Sequence, residues 1–147
     1  MTSQSIMLIE DNPDDQALTI RALKKNNIRN EVTMAGDGAA ALEMLFPASG
    51  ADGLRPALIL LDLKLPKVDG LEVLRRLRAD PRTEIVPVVV LTSSREQEDI
   101  LDSYHSGANG YVRKPVNFGD FSEAVRALGL FWLLLNETPP DARPPSA

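Results

Sequence analysis

Acidic, hydroxyl and basic side chains follow four separate apolar runs of this sequence, at the point where each run ends. Glu10 and Asp11 come after "IMLI", Asp62 comes after "ALILL", Thr92 closes "VVVLT", and Lys114 follows "GYVR". Carboxylates held close together resist joint ionisation, and a hard cation such as magnesium relieves that repulsion. With the cation in place, a carboxylate can act as a nucleophile toward phosphorus, while an ammonium and a hydroxyl bind phosphoryl oxygens. These residue types therefore favour phosphoryl transfer to Asp62.

Apolar runs and helical patterns alternate along the chain and would position these side chains. Strands are predicted at 5–10, 31–35, 57–61, 86–92 and 110–115, and helices at 13–26, 37–46, 70–81, 96–108 and from about Phe118 into "FWLLLN". The runs are apolar throughout rather than alternating, which is typical of parallel strands covered on both faces. The sequence predicts a doubly wound α/β fold, with a five-stranded parallel sheet, helices on both faces and an extended last helix. The carboxyl ends of such strands meet at one edge of the sheet, where functional groups collect.

Composition limits the classes of function that need consideration. The chain has 147 residues, a net charge of −5 and no cysteine. The length predicts one domain, and the acidic balance argues against a nucleic-acid surface, which needs a basic excess. Without cysteine there is no disulfide framework and no thiolate zinc site. No apolar run approaches the roughly 20 residues that cross a bilayer, so we expect no membrane partner and a cytoplasmic location.

The four strand-end motifs together resemble the receiver domain of two-component response regulators, which has the CheY-like fold. The motifs are "LIEDN", "LLDLKLPKVDG", "VVLTSS" and "GYVRKP", and the resemblance covers about residues 5–128. It implies phosphoryl transfer from a sensor histidine kinase to Asp62, in a phospho-acceptor that is not an enzyme with turnover on an outside substrate. It also implies Mg²⁺ held by Asp11, Asp62 and the backbone carbonyl of Lys64, with Glu10 acting through water.

Finer expectations follow from the same resemblance. Thr92 and Tyr111 are expected to move together on phosphorylation, although a fixed core role for Tyr111 stays open. The bond before Pro115 is expected to be cis, which would place the Lys114 ammonium over the site. The positions of Lys64 and Ser94 are expected to tune hydrolysis of the phosphoryl group.

Other charged residues have simpler interpretations. Asn12 is suited to capping the first helix, and Asp14 and Asp15 favour the positive end of its dipole rather than a ligand role. The basic residues of the third predicted helix read as a solvated face; they are Arg75, Arg76 and Arg78.

Two short segments, one near each end of the chain, resemble the single-domain regulators paired with bacterial phytochromes. The matching segments are "GLFWLLLNETPP" and "EDNPDD". Residues 129–136 are predicted to form an apolar helical extension, and residues 137–147 a Pro-rich disordered tail. Because the extension is apolar on several sides, we expect a homodimer through it, with help from the fourth helix and fifth strand; its interface residues would be Leu130, Phe131, Trp132, Leu133 and Leu134. The alternative is that the extension folds back onto its own domain.

Two further functions compete with a phospho-acceptor. A magnesium-dependent phosphatase of the haloacid dehalogenase kind usually has a second Asp two residues after its nucleophile, and this chain has Lys64 there. A degenerate receiver would only bind partners, but the strand-end set is intact. No DNA-binding or catalytic sequence follows the receiver core, so we expect output through protein contacts, either to another protein or back through a phosphorelay. The expected phosphoryl donor is a sensor histidine kinase, with a bacteriophytochrome among the candidates.

Overall fold

The fold was analysed in a computed structural model, in which residues 5–93, 96–114, 117–129 and Trp132 are described. Within these residues strands and helices alternate five times. The strands are β1 (Ile6–Ile9), β2 (Val32–Ala35), β3 (Leu58–Leu61), β4 (Val88–Thr92) and β5 (Gly110–Arg113). The helices are α1 (Pro13–Lys25), α2 (Gly38–Leu45), α3 (Gly70–Ala79), α4 (Gln97–His105) and α5 (Phe118–Gly129).

The five strands form one parallel sheet in the order β2-β1-β3-β4-β5. The order reverses between β1 and β3, where Ile9 pairs with Leu61. The residues that follow this pair, Glu10 and Asp62, therefore leave the sheet side by side. The predicted doubly wound α/β fold is confirmed, and the point where its strand order reverses lies beside Glu10 and Asp62.

Two apolar clusters cover the two faces of the sheet, because successive residues of a strand point to opposite faces. Met7 and Ile9 pack on the face that carries α2 and α3. Ile6 and Leu8 pack on the other face, which carries α1 and α5. The uninterrupted apolar runs of the sequence thus reflect strands that are buried on both sides.

Local signals set the helix starts largely as predicted. The Asn12 side chain accepts hydrogen bonds from the backbone N–H groups of Asp14 and Asp15, which confirms it as the cap of α1. The predicted elements generally extend one to three residues too far. For example, α3 ends at Ala79 because Asp80, which precedes a proline, is extended with φ −105° and ψ 126°.

Arg78 corrects the interpretation of a solvated basic face. Arg75 and Arg76 are exposed, but Arg78 is half-buried and its guanidinium donates to four carbonyl groups and one side-chain amide. The acceptors are the carbonyls of Thr83, Glu84, Val86 and Gly107 and the Oδ1 atom of Asn109. Burial lowers the pKa of Arg78. Arg78 therefore ties the end of α3 to the segments that precede β4 and β5.

Helix α5 packs against α1 through Phe121 and Val125. The Asn26 side chain at the end of α1 donates to Ser122 of α5, with 3.0 Å to its carbonyl oxygen. Trp132 is half-buried and packs against the same cluster. The other predicted interface residues, Leu130, Phe131, Leu133 and Leu134, lie outside the described residues, as do Ser94, Pro115 with its predicted cis bond, and the 137–147 tail.

Within the described residues, none of the helices has the length and apolar character that a bilayer crossing requires.

Candidate functional site

Three carboxylates meet at the carboxyl edge of the sheet. They belong to Glu10 and Asp11 after β1 and to Asp62 after β3, and one oxygen of each lies within 4.8 Å of the others. Glu10 and Asp62 are buried, whereas Asp11 is exposed. The predicted convergence of these three residues is therefore present in the structure.

Asp62 is bound on both carboxylate oxygens. Its Oδ1 atom accepts the Thr92 hydroxyl at 2.9 Å and the backbone N–H of Lys64 at 3.2 Å. Its Oδ2 atom lies 3.0 Å from the Lys114 Nζ atom. Thr92 is the last residue of β4 and is fully buried. A hydroxyl and an ammonium thus reach Asp62 from two neighbouring strands, as the sequence predicted.

The loop after β3 is held against its own strand end by close packing at Gly70. The Gly70 N–H donates to the carbonyl of Leu63 at 3.0 Å. A Cβ atom at position 70 would lie 2.4 Å from the Asp62 carbonyl oxygen and 2.7 Å from the Leu63 Cα atom. Both contacts are with backbone, which cannot move aside cheaply. Glycine at position 70 therefore allows the loop to lie directly against the backbone that carries Asp62.

Lys114 lies at the centre of the charged groups and its side chain is only 9% exposed. Its ammonium donates to Glu10, to Asp15 Oδ2 at 2.9 Å and to Asp62 Oδ2 at 3.0 Å. The contact with Asp15 was missed by the sequence analysis, which assigned this residue only to the helix dipole. The signal that could have found it is the short connection between β1 and α1, which brings the first turn of α1 to the same sheet edge.

Burial and the lysine set opposite pKa shifts on the two buried carboxyls. Burial raises the pKa of Glu10 to about 7, and the nearby Asp62 charge adds to the rise, against the bonds from Lys114. Burial would also raise the pKa of Asp62, but the Lys114 charge and the bonds from Lys114 and Thr92 outweigh it and hold that pKa below its usual value. Asp62 is therefore the carboxyl that stays ionised.

The pKa of Lys114 is shifted in the direction that keeps its charge. Burial alone would lower it, yet the hydrogen bonds to Glu10 and Asp15 and the charge of Asp62 raise it above the ordinary lysine value. The site thus holds a permanent cation beside an ionised carboxylate.

The donor chemistry of the site fits a divalent cation. The group formed by Glu10, Asp11 and Asp62 offers only oxygen ligands, which hard cations such as Mg²⁺ and Mn²⁺ prefer over nitrogen and sulfur. The Lys64 side chain points away, since it is 69% exposed and lies 3.6 Å from Asp99 of α4. The role of the Lys64 carbonyl as a ligand stays a prediction.

Tyr111 lies within a strand rather than at its end. It stands in β5, paired with Val90, and its half-buried side chain packs against the cluster on the α2 and α3 face. Its proposed movement with Thr92 stays a prediction.

A comparison with protein families matches residues 6–126 to the response regulator receiver domain. The chain belongs to this family. The resemblance that the strand-end motifs carried is thereby confirmed.

Individual relatives and solved structures show which members of the family this chain resembles. Response regulator Rcp1 of Synechocystis sp. is 40% identical over 129 residues, which cover 87% of this chain and 88% of Rcp1. The crystal structure of the Mn²⁺-bound form of Rcp1 has a TM-score of 0.85 at 38% identity, covering 93% of this chain and 99% of that one. The crystal structure of the phosphorylated cyanobacterial phytochrome response regulator RcpA has a TM-score of 0.87 at 37% identity. The match covers 95% of this chain and 100% of that one.

The bacteriophytochrome response regulator AtBRR is 48% identical, with a TM-score of 0.71 and coverage of 93% of this chain and 100% of that one. This receiver is thus similar to phytochrome response regulators, as the segments "EDNPDD" and "GLFWLLLNETPP" indicated.

Proposed function

We propose that Asp62 accepts a phosphoryl group from a sensor histidine kinase and that this receiver transmits the signal through protein contacts. The observation that carries the proposal is the binding of both Asp62 oxygens, by the Thr92 hydroxyl on one side and the Lys114 ammonium on the other. The pKa of Asp62 lies below its usual value despite burial, because of Lys114 and Thr92, so the carboxylate is ionised at neutral pH.

The transfer follows from these positions. One carboxylate oxygen of Asp62 forms a bond to phosphorus as the phosphorus–nitrogen bond of the donor phosphohistidine breaks, and the leaving nitrogen keeps the electron pair. The Lys114 ammonium and the Thr92 hydroxyl are placed to donate to phosphoryl oxygens, where negative charge is concentrated. Transfer of this kind needs mainly positioning and charge neutralisation, which these side chains supply. We infer a phospho-acceptor without turnover on an outside substrate, and membership in the receiver family supports this inference.

Mg²⁺ is the proposed cofactor. Asp11, Asp62 and the backbone carbonyl of Lys64 would hold it, and Glu10 would act through water. When bound, the cation supplies charge neutralisation for the phosphoryl oxygens. The oxygen-only donor group and the Mn²⁺-bound form of the relative Rcp1 support a divalent cation.

The proposed partner is a histidine kinase of the bacteriophytochrome kind, in the cytoplasm. Its support is the similarity to RcpA and AtBRR, which are themselves phytochrome and bacteriophytochrome response regulators. The net charge of −5 supports signalling to protein rather than to nucleic acid. Phosphotransfer from purified candidate kinases of the same genome would identify the partner.

We also propose a homodimer through the 129–136 extension. The apolar composition of that segment supports it, while the packing of Trp132 against its own domain favours the alternative that the extension folds back. Light scattering on the intact chain and on a chain truncated after Gly129 separates the two. A dimer that becomes a monomer on truncation supports the proposal, and a monomeric intact chain at micromolar concentration contradicts it.

Labelling by acetyl phosphate in Mg²⁺ tests the acceptor. Asp62→Asn keeps the shape of the side chain but removes the nucleophile, so we expect it to abolish labelling. Asp14→Asn is the matched control, because Asp14 is exposed and its substitution removes the same charge from the same end of the molecule. Undiminished labelling of Asp62→Asn would remove Asp62 from its proposed role.

A further inference from the structure

Lys114 has more carboxylate partners than the proposed transfer requires. Its three N–H groups are directed to Glu10, Asp15 and Asp62. The first and third belong to the carboxylate group suited to a cation. Asp15 does not, since it lies in the first turn of α1 and its side chain is 35% exposed.

The location of Asp15 is fixed by the start of α1. The capping side chain of Asn12 accepts the backbone N–H of Asp15 at 3.1 Å and that of Asp14 at 2.8 Å. Asp14 is exposed, whereas the Asp15 carboxylate turns toward the sheet edge and reaches the Lys114 ammonium at 2.9 Å. Of these two adjacent residues of the same type, Asp15 is the one whose carboxylate bonds to Lys114.

We propose that Asp15 is a positioning residue for Lys114 in phosphoryl transfer, which rests on the function proposed above. Of the three partners of Lys114, Glu10 and Asp62 are the ones that a cation and a phosphoryl group would engage. Neither the cation nor the phosphoryl group would engage Asp15. Asp15 therefore keeps one N–H of the Lys114 ammonium bonded while a second N–H turns to the phosphoryl group. Asp15 thereby holds the charge of Lys114 at the sheet edge throughout the transfer.

The rate of labelling by acetyl phosphate in saturating Mg²⁺ gives the first test. We expect Asp15→Asn to slow labelling about fivefold, the upper end for a partly exposed ion pair. Asp15→Glu should recover most of the rate because it restores the carboxylate. Asp14→Asn, which removes the same charge without a Lys114 contact, should label at the native rate. Labelling of Asp15→Asn at the rate of Asp14→Asn would overturn the proposal.

A double-mutant cycle on the metal-free protein separates an effect through Lys114 from a general loss of helix stability. We expect Asp15→Asn to lower the urea midpoint of the native protein more than it lowers that of Lys114→Gln. Equal shifts in both backgrounds would overturn the positioning role. The labelling test distinguishes the two proposals. If the native protein and Asp14→Asn failed to label, the proposed function would fail. If the native protein, Asp14→Asn and Asp15→Asn all labelled at the native rate, only the role of Asp15 would fail.

Discussion

Replacing Lys114 by methionine should reveal how strongly one cation stabilises the carboxylate group. Methionine has a similar length and apolar stem, so the principal loss is the ammonium. The lysine side chain is 9% exposed, and its partners Glu10 and Asp62 are also buried, so solvent screens these bonds little. Asp15 is partly exposed and contributes less.

The magnitude follows from this burial. Removing one partner of a buried ion pair costs about 3–5 kcal/mol, because a charge stays buried without compensation. Part of this cost is relieved, since Glu10, whose pKa is already raised to about 7, can take up a proton when the cation is gone. We therefore expect Lys114→Met to reduce the free energy of unfolding by about 3 kcal/mol at pH 8 in metal-free buffer, which lowers Tm by about 6–12 °C.

Urea unfolding followed by circular dichroism, with and without Mg²⁺, measures the effect. Because the ammonium no longer competes for Glu10 and Asp62, Mg²⁺ should stabilise Lys114→Met more than the native protein. Lys67→Met is the control: Lys67 lies 3.6 Å from Asp37 but is 68% exposed, so its loss should change stability by less than about 1 kcal/mol. Equal losses in the two variants, or equal stabilisation by Mg²⁺ in Lys114→Met and native protein, would refute this reasoning.

Three further predictions concern the groups around Asp62. Thr92→Val removes the hydroxyl bond to Asp62 and should slow labelling by acetyl phosphate at least about tenfold, with an unchanged circular dichroism spectrum. Gly70→Ala forces a Cβ onto backbone atoms and should destabilise the fold by about 2 kcal/mol in urea unfolding, whereas Gly36→Ala, with open space around it, should not. Because the pKa of Glu10 is raised from 4.5 to about 7, protonated Glu10 stabilises the folded metal-free protein fully at pH values below 4.5. This stabilisation is lost as the pH rises through about 7. Glu10→Gln should abolish that decline, and a decline that persists in the variant would assign it to another group.

The strands and their parallel arrangement could be predicted because their signals are local. The uninterrupted apolar runs indicated strands that are buried on both faces. The parallel arrangement then placed the polar residues that follow these strands at one edge of the sheet. Glu10, Asp62, Thr92 and Lys114 were thus placed together correctly before any contact was known.

Contacts between distant segments carry no comparable signal. Arg78 has the same helical context as its exposed neighbours, and its burial depends on carbonyl groups from two later loops that only the folded chain brings to it. Asp15 was correctly placed in the first turn of α1, but its bond to Lys114 spans 99 residues of sequence. Helix periodicity assigns a residue to a face, whereas the angle between the helix and the sheet decides what that face meets.

Locating the phosphoryl group on the native protein tests the central proposal most directly. After labelling by acetyl phosphate in Mg²⁺, borohydride reduction converts an aspartyl phosphate to homoserine, and mass spectrometry of the peptides identifies the converted residue. We predict conversion at Asp62 alone. Conversion at Asp11 or any other carboxylate, or an acid-stable phosphoryl group on Thr92 or Ser93, would contradict the assignment.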